Sequence, residues 1–318
     1  MPRISVAQLF DDNRGKLRLE WIAGRDGGMK LLDSGNLKDS QEGLIGHLNF
    51  IHPNWIQVLA RPEIDHLNAL DPVSRQQTLH QLVPSGLACM IVAGGERAPQ
   101  HLQALADTMH SALFGSPFDS VELMWMLRPY LARALAESTT MHGVLLDVLG
   151  MGVMITGDSG VGKSELALEL ISRGSGLIAD DVIELYRIAP ETLEARCPLL
   201  LRDFLEVRGL GVLNIRTIFG EAALRPRKNL RLIVHLEKPA GTEVHYVERL
   251  PLKPGFQEIM GVSVSKVTIP VAAGRNLAVL VEAAVRNHVL QLRGIDSTQD
   301  FISRQAQQIE KGEQEIGQ

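Results

Sequence analysis

Apolar and polar positions along the first part of the chain alternate in a way that predicts strands and helices following one another. Segments with the length and apolar character of short strands lie at 43–46, 56–59 and 87–92. Segments with the apolar spacing of amphipathic helices lie at 73–82 and 101–113. The run 87–92 is apolar throughout, which is typical of a buried parallel strand. We therefore predict an N-terminal α/β domain of unassigned role over residues 1–130.

The pattern changes in the second part of the chain. Helical spacing continues from 117 to 138, and we expect the linker between two domains at about 128–138. Two strands then meet at a glycine turn, and the second of them runs into a glycine-rich loop. Later segments predict strands at 144–146, 153–155, 177–179 and 230–236, and helices at 162–173 and 277–292. The last twenty residues have the pattern of a helix that needs a partner.

Composition and charge narrow the class of protein. A chain of 318 residues has the length of two domains, at roughly 150 residues each. A net charge of −5 argues against binding to nucleic acid or to anionic lipid. The most apolar segment, 143–155, is too short to span a membrane and contains Asp147. The two cysteines, Cys89 and Cys197, lie in apolar segments, so we predict a cytoplasmic protein without a disulfide framework.

A phosphate-loop motif, G-x-x-x-x-G-K-[ST], follows the second strand of the C-terminal part and precedes a helix. It is formed by Gly157, Asp158, Ser159, Gly160, Val161, Gly162, Lys163 and Ser164. Such a loop points successive N–H groups at phosphate oxygens, and the helix N-terminus adds partial positive charge. Lys163 would reach the β- and γ-phosphates, and Ser164 would bind Mg²⁺. The alternative is a glycine-rich turn that matches by chance, but both flanking elements are the required ones.

Two adjacent acids, Asp180 and Asp181, follow 17 and 18 residues after Lys163. We expect them at the end of a strand beside the loop strand, near the terminal phosphate. Repulsion between neighbouring carboxylates raises the pKa of one, and that group can then move a proton. Two alternatives remain open: an acidic turn, or Asp180 orienting a Mg²⁺ ligand without binding the ion.

A third segment, 205–214, places Glu206 and Arg208 on one face if it is extended. Glu206 could bind the metal, and Arg208 could bind a phosphate oxygen. A glycine-rich turn with a solvent-exposed ion pair is the commoner explanation of the same residues.

Together these segments resemble the HPr kinase/phosphorylase family in order and spacing, and the segments 4–10 and 46–53 resemble its N-terminal domain. The residues that carry the resemblance are His142-Gly143, the phosphate loop with Glu165, Ala179-Asp180-Asp181, and Glu206-Val207-Arg208-Gly209-Leu210-Gly211. The resemblance implies an α/β fold in which the N-terminal α/β domain precedes a P-loop-containing kinase domain at 131–318. It also implies phosphorylation of a serine of the phosphocarrier protein HPr by ATP or pyrophosphate. In the reverse reaction inorganic phosphate takes up the phosphoryl group and pyrophosphate forms.

The family also implies roles for individual residues and a homo-hexamer. The catalytic residues would be His142, Lys163, Asp181 as general base, and Arg249, and the Mg²⁺ ligands would be Ser164 and Glu206. Residues implied in both reaction directions are Leu205, Glu206, Val207, Arg208, Gly209, Leu210, Gly211, Val212, Leu213 and Asn214. Residues implied chiefly in dephosphorylation are Pro270, Val271, Ala272, Ala273, Gly274 and Arg275. Ala272 and Ala273 stand where many members have a basic residue and a proline.

Two other functions fit the same motifs. A small-molecule kinase or carboxykinase-like enzyme would use the phosphate loop with a low-molecular-weight acceptor. A regulatory module gated by a nucleotide would bind without transfer. The acids at 180–181 favour an enzyme over such a module.

Overall fold

A computed structural model of the chain describes residues 2–35, 43–49, 54–81, 86–238, 255–272 and 274–316. Its contacts divide the chain into two compact units, Met1–Glu137 and Ser138–Gln318. Among the helices that these ranges contain, none combines the length and apolar character needed to cross a bilayer.

The first unit contains a five-stranded sheet in the order β2-β7-β6-β5-β4, in which β4 to β7 are parallel and β2 is an antiparallel edge. The strands of this unit are β1 (Arg3–Ser5), β2 (Glu20–Ala23), β3 (Leu31–Asp33), β4 (Gly43–His47), β5 (Asn54–Leu59), β6 (Cys89–Val92) and β7 (Ala112–Gly115). Its helices are α1 (Val6–Asn13), α2 (Arg61–Ala69), α3 (Pro72–His80), α4 (Gln100–Thr108) and α5 (Ser120–Ala134). All four residues of β6 are buried, as the continuous apolar run predicts.

One sequence expectation in this unit is wrong, and a second is met only in part. The helix expected over 101–113 ends at Thr108, and β7 begins at Ala112. His110 adopts a left-handed backbone, with φ of 47°, which reverses the chain so that the last apolar residues of the segment join the sheet. The boundary between the two units, after Glu137, falls within the linker expected at 128–138, but most of that stretch is the end of α5, and only residues 135 and 136 separate this helix from the next strand. The helix persists because Leu131 is fully buried in the core of the unit.

The second unit contains a seven-stranded sheet in the order β11-β10-β8-β9-β14-β16-β15. The strands of this unit are β8 (Glu137–Val148), β9 (Met151–Gly157), β10 (Gly176–Ala189), β11 (Thr192–Arg196), β12 (Phe204–Val207), β13 (Gly211–Asn214), β14 (Arg227–Glu237), β15 (Gly255–Ile259) and β16 (Val262–Pro270). Its helices are α6 (Lys163–Ser172), α7 (Ile215–Phe219), α8 (Leu277–Leu292) and α9 (Ser297–Ile316). The predicted strands 144–146, 153–155, 177–179 and 230–236 and the predicted helices 162–173 and 277–292 are confirmed.

The second unit has a mixed sheet with a core on each face. Along β9, Val153 and Ile155 face a core that includes apolar residues of α6 and α8, whereas Met154 faces the opposite core. Strands β9, β14 and β16 are parallel, with Gly157 opposite Leu236 and Glu237 opposite Pro270. Because these strands end at one edge, the loops that follow β9 and β16 emerge on the same side of the sheet.

Helix α9 matches the prediction of a C-terminal helix. None of its side chains from Ser297 to Gln308, the part whose burial is described, is buried. The expectation that this helix needs a partner therefore stays a prediction.

Candidate active site

The glycine-rich loop turns sharply between β9 and α6. Gly157, Gly160 and Gly162 have φ values of 142°, 74° and 99°, which favour glycine. A Cβ atom on Gly157 would lie 2.5 Å from the carbonyl oxygen of Leu236. The local sequence therefore allows the backbone to curl between strand and helix at a place where a side chain does not fit.

Two cationic side chains lie against this loop. The Lys163 ammonium donates hydrogen bonds to the carbonyl oxygens of Gly157 and Asp158, at 2.9 and 3.0 Å. Arg208 donates from Nη2 to the Ser159 hydroxyl at 3.0 Å, across 49 residues of sequence. Both cations are thereby held where an anion on the loop would meet them.

Arg208 extends from a short hairpin formed by β12 and β13. Gly209, which follows Arg208, and Gly211, at the start of β13, both have φ of 84°, so the turn requires glycine. Glu206 and Arg208 line one cleft. The sequence left open an ion pair between these two side chains, but the ion pairs of the described residues do not include it. The bond from Arg208 goes to the phosphate-loop motif instead.

Asp180 is a buried carboxylate, with 8% of its surface exposed. Its Oδ2 accepts a hydrogen bond from the backbone N–H of Glu206 at 2.8 Å. Burial raises the pKa of Asp180, and the negative charges of Asp181 and Glu206 act in the same direction, whereas its backbone hydrogen bonds oppose the shift. Asp180 therefore fixes β12 beside β10, and its burial favours the neutral form of its carboxyl group.

The position expected for the two acids needs correction. They do not end a strand, because β10 continues to Ala189, and β8 lies between β10 and the loop strand β9. The reason is the hairpin: β8 pairs antiparallel with β9 and occupies the neighbouring position in the sheet. Asp181 has a left-handed backbone, with φ of 64°, inside this long strand.

Asp181 and His142 form an exposed pair at the mouth of the cleft. The distance between His142 Nδ1 and Asp181 Oδ1 is 3.6 Å, and the two side chains are 83% and 75% exposed. His142 lies on β8, next to Gly143, where a Cβ atom would lie 2.5 Å from the carbonyl oxygen of Ile155. The carboxylate of Asp181 is thus accessible to a large partner.

All these groups line a cleft of about 410 Å³. It brings together His142, Gly143, Val144, Gly157, Ser159, Gly160, Gly162, Lys163, Ser164, Glu165, Asp180, Asp181, Glu206 and Arg208. The sequence did not single out Val144, and Glu165 entered only through the family resemblance. The only available signal was their position next to motif residues.

Two groups of candidate residues are not among those that line this cleft. Arg249 and Ala273 are outside the described residues. Gly274 and Arg275 line a neighbouring cleft rather than the one that holds Asp181. Their expected role in dephosphorylation stays a prediction.

An α/β sheet that carries a glycine-rich strand-to-helix turn with a lysine, opposite a pair of acids, defines a phosphoryl-transfer enzyme. Models of the HPr Serine kinase N terminus and of the HPr Serine kinase C-terminal domain match residues 4–131 and 133–305. The chain belongs to the HPr kinase/phosphorylase family. This membership was predicted from the motifs, and the predicted class of enzyme, a serine-protein kinase and phosphorylase, is confirmed with it.

Individual relatives show how far the similarity extends. The chain is 59% identical to HPr kinase/phosphorylase of Nitrosomonas europaea, over 96% of this chain and 94% of the relative. It is 55% identical to HPr kinase/phosphorylase of Chromobacterium violaceum, over 96% and 95%. A solved structure of the Hpr(Ser) kinase/phosphatase from Coxiella burnetii is 36% identical, with a TM-score of 0.45, over 51% of this chain and 98% of the solved one.

Proposed function

We propose that this chain transfers a phosphoryl group from ATP, or from pyrophosphate, to a serine hydroxyl of HPr. In the reverse direction it transfers the group from phosphoserine to inorganic phosphate and forms pyrophosphate. The observation that carries this proposal is the cleft that joins the loop Gly157–Ser164 to the exposed carboxylate of Asp181. One end of the cleft suits a polyphosphate, and the other end is open to a hydroxyl group on another protein.

In the forward reaction the loop N–H groups, Lys163 and Arg208 hold the phosphates. Lys163 exchanges its bonds to loop carbonyls for bonds to the β- and γ-phosphates. Asp181 accepts the proton of the serine hydroxyl as the new O–P bond forms. The bond from the γ-phosphorus to the bridging oxygen breaks, and its electron pair leaves with the nucleoside diphosphate. His142, 3.6 Å from Asp181, holds the carboxylate in position.

In the reverse reaction the same loop holds inorganic phosphate. An oxygen of that phosphate attacks the phosphorus of phosphoserine, and the bond between phosphorus and the serine oxygen breaks. Asp181 returns its proton to the serine oxygen, so HPr leaves with a neutral hydroxyl and pyrophosphate remains on the loop. One carboxylate therefore acts as base in one direction and as acid in the other.

Ser164 and Glu206 are the residues that would hold Mg²⁺. Both line the cleft beside the loop, and a site with two protein oxygens suits an ion that takes its other ligands from phosphates and water. Bound there, the ion would neutralise charge on the transferred group. Arg249 stays in the proposal as a catalytic residue on the family resemblance alone.

The same proposal includes HPr as a protein partner, a homo-hexamer and a cytoplasmic location, without binding to nucleic acid or membrane. The exposure of His142 and Asp181 supports a protein substrate over a small molecule, because small acceptors are usually enclosed. Cys89 and Cys197 are both free and buried, which fits a reducing compartment.

The test is incubation of the protein with ATP, Mg²⁺ and HPr, followed by addition of inorganic phosphate. We expect phosphoserine on HPr and then release of pyrophosphate. Asp181→Asn should lower the rate at least about a hundredfold in both directions while ATP affinity is retained. Asp65→Asn, an exposed carboxylate in the first unit, is the matched control and should keep both rates.

Other outcomes would contradict the proposal. A phosphorylated metabolite with unmodified HPr would indicate a small-molecule kinase. Binding of ATP without transfer to any acceptor would indicate a regulatory module. Retention of activity in Asp181→Asn would remove Asp181 from the chemistry.

A further inference from the structure

A second cleft, of about 440 Å³, adjoins the catalytic cleft. The two share Gly162 and Glu165 at the start of α6, so they form one continuous surface around the N-terminal end of this helix. The opposite wall consists of Gly274, Arg275 and Asn276, which follow β16. Apart from the dephosphorylation role expected of Gly274 and Arg275, the phosphoryl-transfer chemistry described above does not use this second cleft.

The topology of the sheet places the cleft where one end of a nucleotide must lie. A nucleotide whose phosphates bind to Gly157–Ser164 extends from the loop along the edge formed by the ends of β9, β14 and β16. On one side of the loop lie Asp181 and Glu206, and that side has to admit the serine of HPr. The second cleft adjoins the loop at Gly162 and Glu165, and it is lined by neither Asp181 nor Glu206.

The charges of the cleft indicate which part of a nucleotide it suits. The charged residues that line it are two carboxylates, Glu165 and Glu169, one helical turn apart on α6, and one cation, Arg275, on the opposite wall. Two carboxylates repel phosphate groups but accept hydrogen bonds from uncharged donors. On the α6 side of the cleft, a ribose, which presents two adjacent hydroxyl groups, therefore suits the two carboxylates, whereas a phosphate does not.

Glu169 is held in position for this role. Its Oε1 accepts bonds from Arg173 Nε at 3.2 Å, from Arg173 Nη2 at 3.0 Å and from Asn276 Nδ2 at 3.2 Å. All the hydrogen bonds that the described residues make to this carboxylate end on Oε1, so Oε2 retains its capacity to accept. The bond from Asn276 also ties the wall that follows β16 to α6.

We infer that the second cleft holds the nucleoside part of the phosphoryl donor, with Glu169 accepting hydrogen bonds from the ribose hydroxyls. Gly274 has φ of 81°, and among the described residues other than its chain neighbours no heavy atom lies within 4 Å of a Cβ position, which leaves room for the sugar and base beside Leu277. This inference rests on the proposed function, because it assumes that a nucleotide binds to the loop.

Pyrophosphate provides an internal reference for the test, since it has the phosphates of the donor but no nucleoside. Phosphorylation of HPr is measured with Glu169→Gln, using ATP or pyrophosphate as donor. The KM for ATP should rise about five- to tenfold relative to the KM for pyrophosphate, because the acceptor loses its charge. Glu282→Gln is the matched control: Glu282 also pairs with Arg173 but lies outside the cleft, and its KM ratio should not change.

A second measurement compares ATP with 2′,3′-dideoxy-ATP. The wild type should prefer ATP, and Glu169→Gln should lose most of that preference, because the deleted hydroxyls and the deleted charge belong to one interaction. An equal change in KM for ATP and pyrophosphate, or an undiminished preference for ATP in the variant, would overturn the inference. Absence of transfer from both donors in the wild type would instead refute the proposed function.

Discussion

The conformation of Gly157 leads to a prediction about the stability of the second unit. Replacement by alanine adds a methyl group 2.5 Å from the carbonyl oxygen of Leu236, and the φ of 142° is itself unfavourable for alanine. The carbonyl cannot move away easily, because β14 is hydrogen-bonded on both sides in the centre of the sheet. Gly157→Ala should therefore disturb the junction of β9 and the loop even without a ligand.

Gly162 provides the matched control. It also has a positive φ, of 99°, but in the part of the chain that the structure describes, no heavy atom other than those of its chain neighbours would lie within 4 Å of a Cβ atom there. Gly162→Ala should cost only the conformational term, about 1–2 kcal/mol. Gly157→Ala adds a steric term of about 2 kcal/mol to a similar conformational term, by analogy with overpacked cores. For a domain of this size the additional loss corresponds to a melting temperature lower by about 4–8 °C than that of the control.

The assay must report on the second unit. All three tryptophans, Trp21, Trp55 and Trp125, lie in the first unit, so tryptophan fluorescence would follow the wrong part of the chain. Thermal unfolding followed by far-UV circular dichroism, together with hydrogen exchange of peptides from β9 and β14, reports on the sheet that is disturbed. If Gly157→Ala unfolds at the same temperature as Gly162→Ala, then steric contact with Leu236 does not constrain the loop.

Two further substitutions test the charges of the cleft. Arg208→Gln removes the charged donor to Ser159, and the typical free energy of a charged hydrogen bond corresponds to a rise of about tenfold in the KM for ATP. Arg187 lies outside the cleft, so Arg187→Gln should leave this KM unchanged. Asp180→Asn keeps an acceptor for the Glu206 N–H but cannot ionise. Burial raises the pKa of Asp180 in the folded protein, so the wild type loses folding stability as the pH rises from the ordinary carboxyl pKa through this raised pKa. Asp180→Asn avoids this loss and should therefore melt at a higher temperature than the wild type at neutral pH. This advantage should shrink as pH falls toward the ordinary carboxyl pKa; a variant that melts below the wild type at neutral pH would contradict the reasoning.

The parts of the fold that could be predicted are those whose signal is local. Helix α8 matches its predicted bounds of 277–292, because its apolar spacing is uninterrupted. Strand β7 was assigned to a helix, because the reversal of the chain at His110 leaves no mark in the pattern of apolar residues. The hairpin of β12 and β13 was seen as a possible turn but not as a pair of strands, since its exposed apolar residues Leu210 and Val212 do not alternate with buried ones.

In the candidate site, too, the parts with a local signal could be predicted from the sequence, and the contacts between distant residues could not. The phosphate-loop motif is continuous in sequence, and its strand and helix could be placed from neighbouring residues. The contacts that assemble the cleft are not local: Arg208 reaches Ser159 across 49 residues, and Asp180 reaches the Glu206 N–H across 26. Spacing cannot encode these pairs, because they depend on β8 lying between β10 and β9.

The two neighbouring acids differ in a way that their sequence does not reveal. Repulsion between them was expected to raise the pKa of one, which would then move the proton. Burial is the larger cause, however, and it raises the pKa of Asp180, whose carboxylate already accepts the Glu206 N–H. The exposed Asp181 is the carboxylate that a serine hydroxyl can reach. Burial favours the neutral form of Asp180 and so lowers the negative charge of the cleft in which we propose that a polyphosphate binds, whereas Asp181 is the carboxylate that we propose exchanges the proton.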